Sequence, residues 1–153
     1  MIKQKQLNRH VPAEDIIGDC YRTTIACLLD KHPSEVPHFG ELCWDFEKKE
    51  FREGSDMDAE AEKYLQTIGY TLVRVAWVFD SVQEMLECQE KLNPGVRYIL
   101  AGRSRNEVNH VVIASDGEIE WDPSQNDSGI IGPCSDGFYW ATYILPSFMR
   151  KVA

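Results

Sequence analysis

The sequence lacks the long apolar segments that membrane insertion and secretion require. It contains no run of about eighteen apolar residues, the length that a membrane-spanning helix needs. The polar start MIKQKQLNRH has no apolar centre of the kind found in signal peptides. We therefore expect a soluble, cytoplasmic protein that does not bind membranes.

Paired cysteines, linkers and repeats are also missing. The five cysteines are an odd number without the close spacing of zinc ligands, so we predict neither a disulfide scaffold nor a metal site. No Pro/Gly/Ser-rich linker, repeat or low-complexity tract divides the 153 residues. We expect a single domain over residues 1–153, with no cofactor, and the sequence leaves the oligomeric state open.

Positive charge is scarce. The net charge of −9 disfavours a general nucleic-acid-binding protein, because phosphate contacts need clustered cations. Between Glu41 and Glu62 there are nine acidic and three basic residues, which we interpret as solvated helix faces. Arg103 and Arg105, in the loop GRSRNEVN, are candidates to bind a carboxylate or phosphate of a substrate, together with Arg22. The alternative is an exposed loop that needs charge for solubility.

Cys20 lies at the start of an apolar segment in GDCYRTTIACLL. Asp19 is a good N-cap residue, so the pattern predicts a helix from Cys20 to about Asp30. The thiol would lie in the first turn, where the helix dipole favours the negative sulfur that a nucleophile needs. Arg22 is poorly placed for this dipole, and we expect it to pair with an acid such as Asp19 or to face a substrate.

A histidine and an aspartate bracket two strand-like segments in NHVVIASDGEIEWDP. In an antiparallel hairpin, a three-residue SDG loop would place His110 directly opposite Asp122 and put Ile119 and Trp121 on the other face. A two-residue DG turn would instead place Asp122 opposite Val111, facing away from the histidine. The predicted contact between imidazole and carboxylate therefore depends on an odd loop length.

Each of these residues also has an ordinary structural interpretation. A cysteine near a helix start is commonly a small core residue, and an Asp-Pro after a strand is usually a turn. A histidine before a Val-Val-Ile strand is often structural. Their order and local spacing together favour a thiol nucleophile, an imidazole base and a carboxylate that orients the base.

The motif DC with a following ACL, then H-x-V-V and a downstream D-P, resembles the papain-like cysteine peptidase superfamily. The resemblance is particularly to the peptidase domain that trims double-glycine leaders in bacteriocin exporters. The G-D-C-x-R helix start followed by V-P-H-F is also similar to small uncharacterised papain-like proteins of bacteria and their phages. The resemblance implies that Cys20 is the nucleophile, His110 the general base and acid, and Asp122 the orienting carboxylate.

One position departs from the superfamily pattern. The superfamily usually has a glutamine six residues before the cysteine as an oxyanion donor, and this chain has Glu14 there. A glutamate cannot donate a hydrogen bond while it is ionised. Backbone amides at the helix start after Asp19, the Asn109 amide, or an N-terminal residue such as Gln6 are the alternative donors, and the sequence does not choose between them.

The remaining pattern predicts an α+β, papain-like fold, in which N-terminal helices precede a C-terminal antiparallel sheet and the nucleophile helix packs on that sheet. Further helices are predicted over 41–51, from 55 or 56 to 68, and over 81–92, and strands over 70–77, 96–101, 109–114, 118–121 and 138–145.

The function predicted from these features is a thiol hydrolase that cleaves an amide or related acyl bond in a peptide, an isopeptide or a small amide. One alternative is a catalytically degenerate papain-like domain that binds a peptide or an anionic small molecule, such as a signalling nucleotide. A purely structural or adaptor protein is a third possibility.

Overall fold

A computed structural model describes residues 1–151, which form a mixed helix and sheet structure. The chain divides into two compact units, the first made of Met1–Thr71 with the segment from Leu145 and the second of Leu72–Ile144. The predicted α+β class is confirmed. A single domain over the whole chain stays a prediction.

Most elements begin and end close to their predicted positions. The helices are α1 (Cys20–Leu28), α2 (Phe39–Cys43), α3 (Met57–Thr67) and α4 (Val82–Leu92). The strands are β1 (Trp44–Asp45), β2 (Glu50–Phe51), β3 (Tyr70–Trp77), β4 (Tyr98–Arg103), β5 (Asn109–Ser115), β6 (Glu118–Trp121) and β7 (Tyr139–Pro146). Across residues 1–151, none of the helices has the length and apolarity to cross a lipid bilayer.

The first unit is built around α1. Ile25, Ala26 and Cys27 on this helix are fully buried, which accounts for the apolar stretch after Cys20. Helix α3 has the predicted N-cap, because the Asp56 side chain accepts a hydrogen bond from a backbone amide in the first turn. Tyr21 of α1 contacts both neighbouring helices: its hydroxyl donates to Oδ1 of Asp58 at 2.6 Å, and its ring packs against Phe39 with centroids 5.7 Å apart.

The predicted helix over residues 41–51 is wrong beyond Cys43. The chain turns there into the β1–β2 hairpin, in which the rings of Trp44 and Phe51 pack edge to face with centroids 5.0 Å apart. The Asp45 carboxylate accepts hydrogen bonds from two of the following backbone amides. This local interaction competes with helix formation, and the residue pattern alone did not reveal it.

In the second unit, one face of helix α4 packs on a five-stranded sheet with the strand order β3-β7-β4-β5-β6. Strand β4 pairs antiparallel with both β5 and β7. The Ser81 hydroxyl caps α4 by accepting the Glu84 amide hydrogen at 3.2 Å, as its capping sequence predicts. The buried core of this unit consists of Met85, Leu86, Tyr98, Leu100, Val112, Ala114, Ile130, Tyr139 and Ala141.

The β5–β6 hairpin differs from the prediction in its turn. Ser115 pairs with Glu118, so of the two alternatives the loop is the two-residue DG turn, and the three-residue loop on which the predicted contact depended does not form. Asp116 and Gly117 both have positive φ, at 49° and 78°, a combination that favours glycine and gives the strong twist of a tight hairpin. This register by itself would turn Asp122 away from His110.

A β-bulge in β6 reverses that outcome. Ala114 pairs with Ile119, but the next residue of β5, Ile113, pairs with Trp121, so Glu120 is an extra residue in the ladder. The bulge does what a third loop residue would have done, and the residues beyond it change face. Ile119 accordingly packs against the core of the second unit, and the prediction that it shares a face with Trp121 is wrong.

Candidate functional site

The predicted site residues fall in both units, and each half has its own structure. Cys20, Asp19 and Arg22 belong to the first unit, whereas His110 and Asp122 belong to the second. Each half is therefore defined by contacts within its own unit.

In the second unit the structure brings His110 and Asp122 together. Nε2 of His110 lies 2.7 Å from Oδ1 of Asp122, and both side chains are buried. A neutral imidazole that donates from Nε2 has its lone pair on Nδ1, the form that accepts a proton. The arrangement suits general base chemistry at Nδ1.

The Asp122 carboxylate accepts two further hydrogen bonds, both from backbone amides. The amide of Ser124 lies 2.8 Å from Oδ1, and that of Gly129 lies 2.7 Å from Oδ2. Burial alone would raise the pKa of the Asp122 carboxyl, but the hydrogen bonds from His110, Ser124 and Gly129 outweigh it and lower that pKa to about 2. Asp122 is therefore a carboxylate throughout the physiological pH range.

The two interpretations of Asp-Pro given by the sequence are thus compatible. Asp122 forms a turn with the amide two residues ahead, across Pro123, and also holds the histidine. The DPS sequence is a signal for this turn. The Gly129 contact has no comparable signal, because its amide reaches Asp122 only through the path of the intervening loop.

Gly102 shapes the surroundings of the histidine from the neighbouring strand. It pairs directly with His110 across the β4–β5 ladder. A methyl group at this position would lie 2.5 Å from Cγ2 of Ile130 and 2.7 Å from the carbonyl oxygen of Gly132. Sequence reasoning missed this glycine, which allows the segment after Gly129 to lie close to β4.

In the first unit, Cys20 is the first residue of α1, as predicted, and it is partly exposed. Asp19 occupies the N-cap position, but its side chain does not cap the helix. Its buried carboxylate accepts the amide hydrogens of Leu7 and Asn8 instead, at 3.3 Å and 2.8 Å. Asp19 thus attaches the N-terminal segment to the beginning of α1.

Arg22 takes the first of its two predicted roles. Its Nε lies 2.9 Å from Oδ2 of Asp19, and both side chains are largely buried. Nη1 also points to the carbonyl oxygen of Val36 at 3.5 Å. The prediction that Arg22 pairs with Asp19 is confirmed, and this pairing leaves less of its charge for the proposed substrate role.

The other predicted binding residues also have partners within the protein. Arg103 forms an ion pair with Glu107 at 2.9 Å, and Arg105 donates to the carbonyl oxygen of Asn126. The side chain of Asn109 exchanges two hydrogen bonds with Ser135, both at 3.0 Å. The contacts of Arg105 and Asn109 join the β4–β5 connection and the first residue of β5 to the segment between β6 and β7.

The candidate oxyanion donors are placed differently from one another. Glu14 is exposed in a short 3-10 helix, Pro12–Glu14. Gln6 is buried and directly precedes the two residues whose amides bind Asp19. Its Nε2 donates to the carbonyl oxygen of Asn8 at 2.6 Å. Among the N-terminal residues, Gln6 therefore lies in a segment anchored at the start of the Cys20 helix.

Two other histidines have structural roles in the turn before Asp19. Nδ1 of His10 accepts the amide hydrogen of Gly18 at 3.2 Å, and Nε2 of His38 lies 2.9 Å from the carbonyl oxygen of Ile17. Burial lowers the pKa of His10, which favours the neutral form that this contact needs. His38, the N-cap residue of α2, thus contacts the backbone of this turn.

The five cysteines are free thiols. Burial is the main factor that raises the pKa values of Cys27, Cys43 and Cys134, the last to about 11. Raised values keep these three thiols protonated and poorly nucleophilic. Within the described part of the chain, no group of three or more His, Cys, Asp and Glu side chains is arranged to hold a metal ion.

Comparisons with known proteins give this chain no relative from which a function could be transferred. No protein-family model, curated protein or solved structure matches it. The function of this chain must therefore be inferred from the chemistry of its own residues.

Proposed function

We propose that this protein is a papain-like thiol hydrolase that cleaves an amide or related acyl bond. The observation that carries the proposal is the buried hydrogen bond between His110 and Asp122. A histidine whose Nε2 is held by an ionised carboxylate has the lone pair on Nδ1 that a general base requires. The position of Cys20 at the first residue of α1 supports its role as the nucleophile.

In the proposed reaction, Nδ1 of His110 takes the proton from the Cys20 thiol, and the sulfur attacks the carbonyl carbon of the substrate. The imidazolium then protonates the leaving group as the carbon–nitrogen or other acyl bond breaks, which gives a thioester. Water, deprotonated by the same imidazole, hydrolyses the thioester and releases the acid. Asp122 keeps the imidazole oriented and stabilises its charged form. The proposal requires the sulfur of Cys20 to come within reach of Nδ1.

The oxyanion of the tetrahedral intermediate needs donors that Glu14 does not provide while it is ionised. The backbone amide of Cys20 at the helix start is one candidate donor. Gln6 is another, because its segment is anchored to Asp19. Peptides, isopeptides and small amides all fit this chemistry.

Selective alkylation tests the proposal without a known substrate. The folded protein is treated with iodoacetamide at pH 6.5, and modification of each cysteine is followed by mass spectrometry. We expect Cys20 to react at least tenfold faster than Cys88, a partly exposed thiol on α4 that serves as the internal control. His110→Ala should remove most of this difference, and Cys134→Ala should leave it unchanged.

Equal reaction of Cys20 and Cys88, or a Cys20 rate that does not depend on His110, would rule out the hydrolase. A positive result leads to a panel of fluorogenic peptide and isopeptide substrates, with trapping of the thioester at Cys20 as the readout.

The anion-binding alternative has less support. It relies on Arg22, Arg103 and Arg105, and each of these guanidinium groups is engaged by a partner within the protein. An ion pair lowers the positive potential that remains to attract a ligand, and a phosphate would have to replace contacts already made.

A further inference from the structure

The loop of residues 124–129 follows Asp122 and Pro123. A hydrogen bond to the side chain of its own first residue, Ser124, holds its two ends together. Oγ of Ser124 accepts the amide hydrogen of Ser128 at 2.7 Å, and both serines are buried. The next amide along the chain, that of Gly129, is the one that binds Oδ2 of Asp122. The serine hydroxyl therefore fixes the residue immediately before a donor to the carboxylate.

The same serine acts at both ends of the loop. Its own backbone amide donates to Oδ1 of Asp122, and its hydroxyl holds the amide that precedes Gly129. A short loop with one fixed end would leave its other end free to move. Because Ser124 ties the two ends together, both oxygens of the carboxylate receive a donor at the same time.

Contacts from outside the loop hold its outer side. Arg105 donates from its backbone amide to the carbonyl oxygen of Ser128 at 3.3 Å and from its guanidinium group to the carbonyl oxygen of Asn126. These contacts reach carbonyl groups, whereas the Asp122 carboxylate is bound by amide groups. They stabilise the loop without directing its amides at Asp122.

We propose that Ser124 is a positioning residue for the His110–Asp122 pair: its hydroxyl arranges the loop whose amides aim the carboxylate at Nε2 of the imidazole. Its importance for catalysis rests on the proposed function, in which His110 is the general base and Asp122 orients it. The effect of Ser124 on the His110–Asp122 hydrogen bond lies within the second unit and can be measured without a substrate.

Loss of the hydroxyl has a defined consequence. In Ser124→Ala the buried Ser128 amide has no acceptor, so the loop must rearrange to let that amide reach water or another oxygen. The Gly129 amide moves with it, and Oδ2 of Asp122 loses a donor. With fewer donors the carboxylate is less stable in its ionised form and is free to rotate away from His110.

NMR spectroscopy tests this chain of effects. The Nε2–H proton of His110 is assigned by its absence in His110→Gln, and its exchange with solvent is compared between variants. We expect Ser124→Ala to speed this exchange by about tenfold and to raise the pKa of Asp122, followed by carboxyl 13C shifts, by about one unit. Ser124→Thr, which keeps the hydroxyl, should restore both values toward those of the native protein.

Ser104→Ala is the matched control. Ser104 is also a buried loop serine, and its hydroxyl accepts the Asn106 amide hydrogen at 3.2 Å in the loop between β4 and β5, with no bond to Asp122. Its replacement removes a similar hydrogen bond and should leave both His110 exchange and Asp122 titration unchanged. Equal effects of Ser104→Ala and Ser124→Ala, or no effect of the latter, would overturn the proposal.

The native protein provides a second measurement if Ser124→Ala does not fold. The proposal requires the amides of Ser128 and Gly129 to exchange at least tenfold more slowly than the exposed amides of the same loop. Rapid exchange of these two amides would refute it. These NMR results do not depend on Cys20, so failure of the hydrolase in the alkylation experiment and failure of Ser124 positioning are distinguishable.

Discussion

Gly102 faces His110 directly across the β4–β5 ladder, and the chain segment containing Ile130 and Gly132 lies against it. This close approach connects the strand next to the histidine with the loop that holds Asp122. Two further contacts join the segment to β4, since the Arg103 amide donates to the carbonyl oxygen of Gly132 and the Ile131 amide to that of Arg103, both at 2.8 Å. The path of the loop therefore depends on glycine at position 102, because any side chain there would meet this segment.

Gly102→Ala should destabilise the protein and weaken the His110–Asp122 hydrogen bond. The added carbon would meet Cγ2 of Ile130 at 2.5 Å and a backbone oxygen at 2.7 Å. The backbone must shift, because the position of the alanine Cβ is fixed by the backbone and a side-chain rotation cannot relieve the contact. We expect a loss of about 1–3 kcal/mol in urea unfolding, the usual cost of overpacking. Ile130→Val, which removes a methyl group from the same region, is the control and should leave the His110 Nε2–H signal unchanged. Native-like stability of Gly102→Ala would contradict the close contact.

The low pKa of Asp122 predicts a specific loss of stability in acid. The folded-state value of about 2 lies below the unfolded value of about 3.9, so the ionised carboxylate stabilises the fold at every pH above the unfolded value. This contribution declines as the pH falls below about 4 and is lost once the pH passes through the folded-state value.

Asp122→Asn should therefore have less stability than the native protein at pH 7, by on the order of 1–2 kcal/mol, and a flatter pH profile between pH 4 and pH 2. Urea denaturation at a series of pH values measures both. Parallel profiles for the two proteins over this interval would show that Asp122 does not carry the effect.

The buried Asp19–Arg22 pair predicts that removing the Asp19 carboxylate will lower the free energy of unfolding strongly. The Asp19 carboxylate is fully buried, and it also binds the amides of Leu7 and Asn8. Asp19→Ala leaves the guanidinium group and both amides without this acceptor, so we expect a loss of about 3 kcal/mol or more. Urea unfolding provides the measurement.

The matched control uses the Glu60–Lys63 pair, which has the same sequence spacing and an N–O distance of 2.9 Å but lies at the surface. Glu60→Ala should cost less than about 1 kcal/mol, because exposed ion pairs contribute little. Similar losses in the two variants would mean that burial is not what makes Asp19 important.

The partners of Arg103 and Arg105 predict weak binding of anions. We expect inorganic pyrophosphate to bind with a dissociation constant no tighter than about 1 mM in calorimetry, because both guanidinium groups already have partners. Submicromolar binding that disappears in the double variant R103A/R105A would instead favour the anion-binding alternative. The double variant K48A/K63A removes two exposed charges from the first unit and controls for the change in net charge.

Local patterns predicted much of the fold correctly. Strands β3 and β6 begin and end at the predicted residues, and the Asp56 and Ser81 caps form as expected. Capping and strand alternation depend on residues close together in sequence, so the sequence displays them directly. The helix predicted beyond Cys43 failed for a local reason as well, since Asp45 binds nearby amides and stops it.

The pairing of His110 with Asp122 was expected, but the route to it was not. The three-residue loop that the pairing was expected to require is absent, and a bulge at Glu120 restores the same face relationship. Glu120 is held by Arg97 at 2.8 Å and by Ser115 at 2.9 Å. These contacts come from the residue before β4 and from the end of β5, and the alternation of residues within one strand does not encode them.

The sequence by itself determined that a thiol begins a helix, that a histidine and a DPS turn flank a hairpin, and that the chain forms an α+β structure. Tertiary structure decided which groups these side chains contact: the bulge that turns Asp122 toward His110, the amide of Gly129 that holds it, and the partners of the three arginines. The physical reason is the distance along the sequence over which each interaction acts. Helix starts and turns are set by neighbouring residues, whereas a buried carboxylate takes its donors from wherever the folded backbone brings them.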